Sequence, residues 1–176
     1  PGVHGEWKVD SLSTICAMKS GEGITSASID QFSKFPCYGG NGIRGYAARF
    51  THAGRYALVG RQGALCGNVY GVEGKFFASE HAIVVTGFEE TDIRWLTSVL
   101  TRMNLNQFSE SSAQPGLSVS KILNLELTVP PTKTEQTAIA EVLSDMDAEL
   151  AALERRRDKT SLLKQAMMQE LLTGRI

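Results

Sequence analysis

The sequence predicts an α+β protein: a mixed α/β domain of short, glycine-punctuated strands over residues 1–133, followed by one long α-helix over residues 134–176. Three observations lead there. Up to about residue 131, short runs rich in β-branched and aromatic residues alternate with glycine, the pattern of strands broken by turns. One apolar stripe at three- and four-residue steps interrupts that series near residue 96. From Thr132 onward neither Gly nor Pro occurs until Gly174, so the helical pattern runs unbroken.

Each element follows in order. Strands are expected at Tyr56–Val59, at Val69–Val72 paired across a Glu73-Gly74 turn with Lys75–Ala78, and at Ala82–Thr86. Thr91 or Asp92 caps a helix whose Ile93, Leu96, Val99, Leu100 and Met103 share one face. A polar loop, Ser109 to Gly116, leads to a short helical turn capped by Ser118. Leu125, Leu127 and Val129 then alternate as a half-buried strand, which Pro130 and Pro131 end. Thr132, with Glu135 three residues on, makes a capping box, and Thr134 is a competing cap. The helix that follows is about 60 Å long at roughly 1.5 Å per residue, more than a globule of this size covers. Ile139, Leu143, Met146, Leu150 and Leu153, and after a polar break Leu163, Met167 and Leu171, read as a coiled-coil seam that needs a second helix.

Composition narrows the class. The 176 residues are 42% hydrophobic, 21% charged and 7% aromatic, a globular balance rather than a disordered or fibrous one. No stretch approaches the roughly 18 apolar residues of a membrane span, and Pro1 to Gly5 lacks the layout of a signal peptide, so a cytoplasmic location off the membrane is expected. Cys16, Cys37 and Cys66 are odd in number and widely spaced, so buried thiols are expected rather than disulfides or a zinc ribbon.

The formal net charge of −1 hides a local pattern. Between Gln31 and Lys75, six cations (Lys34, Arg44, Arg49, Arg55, Arg61 and Lys75) stand against one acid, Glu73, in a window that also holds ten glycines. A cationic surface carried on glycine-rich loops suits a polyanion.

Catalytic motifs fail one by one. Gly40-Asn41-Gly42-Ile43-Arg44-Gly45 matches G-x-G-x-x-G, but Phe35 to Tyr38 reads as no buried strand and Tyr46 to Gly54 opens no helix. Arg61 and Gln62 also stand where a dinucleotide site needs an acid. A nucleotide-binding enzyme built on the 40–45 loop is therefore the weakest alternative. Gly74-Lys75 is followed by Phe76, so there is no P-loop. Val129-Pro130-Pro131-Thr132 has the prolines of an amino-methyltransferase motif without its preceding Asp or Asn. His4, His52 and His81 form no H-E-x-x-H pair. No catalytic residue, metal or cofactor is expected.

The residues do carry a family resemblance. Tyr38-Gly-Gly-Asn-Gly-Ile-Arg-Gly-Tyr46, Ala57-Leu-Val-Gly-Arg-Gln-Gly-Ala64, Gly67-Asn-Val-Tyr70 and Phe76-Phe-Ala-Ser79 look like the target recognition domain of type I restriction-modification specificity subunits. Pro115-Gly-Leu-Ser118, Leu123-Asn-Leu125, Val129-Pro-Pro131, Glu135-Gln136, Ile139-Ala-Glu-Val-Leu143, Leu163-Lys164 and Leu171-Leu-Thr-Gly-Arg175 keep that family's order into its spacer helix. The resemblance implies a non-catalytic reader of double-stranded DNA, with one recognition domain and one spacer helix where a whole subunit has two of each. It implies an antiparallel coiled coil with a second helix, and methyltransferase subunits as partners, with a motor-endonuclease subunit joining through them. Adenine methylation and restriction would thereby be directed to a bipartite target. A homodimer through the helix would make that target a split palindrome. Within this reading Asn41, Arg44, Arg61 and Gln62 are candidate base readers, because Arg grips guanine and Asn or Gln grips adenine through paired hydrogen bonds. Lys34, Arg49, Arg55 and Lys75 are candidate phosphate contacts, and Tyr38 and Tyr46 either support the loop or touch DNA. A dimerising module that binds methyltransferase subunits without reading DNA is the alternative from another class.

Overall fold

The computed structural model describes residues 5–63, 65–110 and 116–174. His4, Ala64, Pro115 and Arg175, and most of the expected polar loop at 109–116, lie outside the described residues. The chain divides into two compact units, Pro1–Thr137 and Ala138–Ile176.

The first unit holds the sheets. β1 (Lys8–Ser11) pairs antiparallel with β8 (Glu126–Val129) as a two-stranded sheet, and a four-residue helix, α1 (Leu12–Ile15), follows β1 directly. The main sheet has β2 (Cys16–Ser20), β3 (Phe35–Gly39), β4 (Gly42–Ala47), β5 (His52–Gly60), β6 (Val69–Ala78) and β7 (Ala82–Gly87) in the order β2-β7-β5-β6-β3-β4. All neighbours are antiparallel except β3 and β6, which run parallel. Leu58, Phe76, Phe77, Ile83 and Val85 are fully buried in this sheet, and Leu96 and Leu100 of α2 (Ile93–Arg102) are fully buried on the helix that packs against β5, β6 and β7.

Two expectations are corrected. Val69–Ala78 is one ten-residue strand rather than a hairpin turning at Glu73-Gly74, because β5 pairs with it from Val59↔Val69 to His52↔Phe76. Gly74 does depart from strand geometry, with φ of +97°, and so does Gly54 directly opposite, with φ of +132°. Two facing residues in a conformation that only glycine takes without strain bend the whole ribbon instead of reversing one strand. The bend is visible in the core. Tyr70 and Phe76, six residues apart and so about 20 Å apart in a straight strand, both pack on Tyr38, at 5.8 and 5.7 Å between ring centroids. The second correction is Phe35–Gly39, which is a strand after all, with Cys37 fully buried. Pro36 disguises it, tolerated because pairing with β6 begins only at Cys37 and because Tyr46, opposite Pro36 on β4, exchanges its backbone hydrogen bonds with Asp30, so neither neighbour needs an N–H from Pro36.

The helices agree with their sequence signals. Asp92 caps α2, accepting from the backbone amides of Arg94 and Trp95 at 2.8 and 3.3 Å. Thr91 instead donates to the Ile15 carbonyl. Ser118 stands at the start of α3 (Val119–Leu123), but its hydroxyl meets Ser120 Oγ at 2.9 Å and caps no helix amide. The last helix, α4, runs unbroken for 41 residues, Lys133–Thr173. Thr132 Oγ1 accepts from the Glu135 amide at 3.2 Å, as a capping box requires, while the Glu135 carboxylate accepts from Trp7 Nε1 at 3.0 Å.

Asp92 also ties the first turn of α4 to α2. Its amide donates to Gln136 Oε1 and its carboxylate accepts from Thr137 Oγ1, each at 2.8 Å. Burial pushes this carboxyl upward, but hydrogen bonds from the Arg94 and Thr137 side chains and from the Arg94 and Trp95 amides outweigh it and hold the pKa at about 2.

Candidate nucleic-acid interface

Four chain segments meet at one end of the main sheet. The Gly40-Asn41 turn joins β3 to β4, and their register shifts there: Cys37 faces Gly45 while Tyr38 faces Ile43. Arg44 is therefore the extra residue of a β-bulge, a device that re-aims a side chain, and it is exposed. Beyond β5, Gly67 and Gly60 close the next loop, with Gly67 N donating to Gly60 O and Gly60 N to Asn68 O, both at 2.8 Å. Backbones are in close approach here, since a Cβ on Gly60 would run into the Gly40 carbonyl oxygen. The Arg61 amide donates to His81 O and its carbonyl accepts from Leu117 N, each at 2.9 Å, while Gln62 bridges to Gly116. The result is a continuous surface with two open clefts. One is lined by Asn41, Arg44, Gln62, Leu65 and His81, the other by Arg61, Gln62, Glu110 and Gly116 to Ser120.

This surface is rich in hydrogen-bond donors. Asn41 Oδ1 accepts from Asn68 Nδ2 at 2.9 Å, which orients the amide and turns its NH2 group away from Asn68. Among the described residues neither Arg44 nor Arg61 is ion-paired. The acid in the second cleft, Glu110, is engaged by Lys121 at 2.9 Å. The Arg44 stem lies against Gly39 and the His81 ring faces Glu80 at 3.2 Å, while the exposed arginine and amide groups match the acceptors of phosphates and of the guanine major-groove edge.

Asn41, Arg44, Arg61 and Gln62 are thus brought together. The other candidates sit elsewhere. Arg55 pairs with Glu73 at 2.8 Å near the ribbon bend, beside Ile93 and Thr97 of α2. Arg49 pairs with Glu22 at 2.8 Å and lies over the Phe77 ring. Lys34 lies over Phe35 and Lys75 over Phe50, at 5.5 and 5.0 Å from the ring centroids. Tyr38 is half-buried between Tyr70 and Phe76, where burial raises its hydroxyl pKa, so it braces the turn from below; Tyr70 helps by donating to the Gly39 carbonyl. Tyr46 is half-buried and exchanges backbone hydrogen bonds with Asp30 at 3.0 and 2.8 Å.

Sequence reasoning missed Leu65, Asn68, His81 and the Ser118–Ser120 edge. They come from three segments, the β5–β6 loop, the turn before β7 and the start of α3, and only the glycine beside Asn68 carries a local signal. The three cysteines are buried and free. Burial pushes Cys16 up to about 12 and raises Cys37 and Cys66, so none is a ready nucleophile. Among the described residues no three of His, Cys, Asp and Glu gather as a metal site, and no helix is long and apolar enough to cross a membrane.

Residues 4–162 match the family described as the type I restriction modification DNA specificity domain. The chain belongs to that family. The type I restriction enzyme EcoprrI specificity subunit of Escherichia coli is 44% identical over 146 residues, which are 81% of this chain and 36% of that protein. The fold matches the type I restriction-modification S subunit from M. genitalium with a TM-score of 0.76 at 20% identity, over 99% of this chain and 48% of that one. It also matches the HsdS subunit from Thermoanaerobacter tengcongensis with a TM-score of 0.67 at 14% identity, over 100% and 48%. The chain therefore spans half or less of the length of these specificity subunits, and the α+β fold with its long final helix is theirs.

Proposed function

We propose that this chain is a non-catalytic DNA reader, one recognition domain (residues 1–133) and one spacer helix (residues 134–176), which directs a type I restriction-modification complex to one half of a bipartite target. The observation that carries the reading is the convergence of Asn41, Arg44, Arg61 and Gln62 on one donor-rich surface, in a chain of the DNA specificity domain family. Arg44 and Arg61 read bases, with Asn41 and Gln62 beside them, while Lys34, Arg49, Arg55 and Lys75 steer and hold phosphates. The exposed apolar row of α4 seats a second helix in an antiparallel coiled coil, from a second copy in a homodimer. Methyltransferase subunits bind the assembled chain and modify adenine, and the motor-endonuclease joins through them, all in the cytoplasm. The test is reconstitution with the cognate methyltransferase subunit and mapping of methylated adenines on a random DNA library. A split palindrome is expected; methylation no different from that of the methyltransferase alone would defeat the reading.

A further inference from the structure

The two halves of α4 carry opposite charge. From Ala138 to Glu154 there are five acids (Glu141, Asp145, Asp147, Glu149 and Glu154) and no base. From Arg155 to Thr173 there are five bases (Arg155, Arg156, Arg157, Lys159 and Lys164) and two acids. The seam has its own irregularity. Its alternating steps of four and three, begun at Ile139, reach Met167 and Leu171 in phase only if Arg157, Thr160 and Lys164 take the seam positions between Leu153 and Met167, which moves Leu163 to the seam's flank. From Leu143 onward the apolar seam residues stand open, Met146 at 56%, Leu150 at 57% and Met167 at 51% exposed, while Ile139 is half-buried.

We infer that α4 pairs antiparallel with a second copy of itself in one register, in which facing positions sum to 310 and the seam cations are clamped by acids of the other copy's first half. This rests on the reading of α4 as a pairing helix and adds which register it adopts and which residues set it. Parallel pairing would lay the acidic halves against each other. Among antiparallel registers that keep the seam in phase, only this one uses all ten seam positions. It sets Leu150 against Thr160, Leu153 against Arg157 and Met146 against Lys164. Arg157 then lies one residue step from Glu154 of the second copy, and Lys164 one step from Asp147. Registers shifted by one heptad either way leave one of the two cations without such an acid and shorten the overlap. Arg157 is held locally by Asp158 at 2.9 Å in the single chain, an exposed pair that is exchanged at little cost. Polar side chains at seam positions are a known means of fixing register.

Cysteine pairs in the whole chain test the register, since a disulfide forms only where Cα atoms approach within about 7 Å. Under mild oxidation L150C/T160C is expected to become a covalent dimer, while L150C/L153C and L150C/M167C, which report the neighbouring registers, stay uncrosslinked. Charge reversal is the second arm. R157E/K164E and D147K/E154K are each expected to self-associate about tenfold more weakly in sedimentation equilibrium, and an equimolar mixture is expected to regain association as a heterodimer. Crosslinking of another pair, or no recovery in the mixture, overturns the register while leaving helix pairing intact. A wild-type chain that stays monomeric at every concentration overturns the pairing reading and the register with it.

Discussion

At the scale of the residue, the four candidate base readers differ in how firmly they are held. Arg44 is placed by a bulge, Asn41 by Asn68 and Arg61 by backbone bonds to His81 and Leu117, whereas Gln62 rests on a backbone bridge alone. Replacing Arg44 by Ala should cost about 1–3 kcal/mol of specific binding and relax preference at one base pair. Replacing Lys75 by Ala should weaken all sequences alike and reduce the salt slope by about one unit, which binding titrations at several salt concentrations would resolve. Asp92 is held for stability. Its folded pKa of about 2 lies below the unfolded carboxylate value near 4, so its contribution is full above about pH 4 and is lost as pH falls toward 2. D92A should lower unfolding stability by about 1–3 kcal/mol at neutral pH, and D92N should flatten the acid limb of the stability curve between pH 4 and 2.

Among the elements, the bent β5–β6 ribbon shapes the recognition unit and was the least legible. The sequence shows Glu73-Gly74 as a turn, because glycine marks turns and bends alike; only the pairing of Gly74 with Gly54 distinguishes them, and that is a long-range fact. A Cβ on Gly74 would meet open space, so G74V tests the backbone alone. It should destabilise by about 1–3 kcal/mol in a urea titration. Where the signal was local, as in the Asp92 cap, the Thr132 cap and the unbroken run of α4, the sequence was enough. Edge strand β4 and its partner β3 were hidden by Pro36 and by glycines at both ends of the turn. For the same reason the glycine motif was recognisable as a family mark before its shape was known.

On the proposed reading the whole molecule combines a base-reading surface with a pairing helix, and its two units answer to different tests. Replacing Leu150 and Leu153 by Asp should abolish self-association in sedimentation equilibrium while leaving the recognition unit folded by circular dichroism, since both side chains are more than half exposed. The candidate surface is partly legible: the local excess of cations and the glycine loops point to residues 31–75, of which the fold gathers Asn41, Arg44, Arg61 and Gln62, while the neighbours His81 and Asn68 depend on the fold. Base reading by that surface is tested by comparing methylation maps of the reconstituted complex carrying the wild-type chain and carrying R44A/R61A. If Arg44 and Arg61 read bases, assembly stays intact and the methylated sites lose preference at defined positions of each half-site. An unchanged map from the variant would contradict base reading by these two residues.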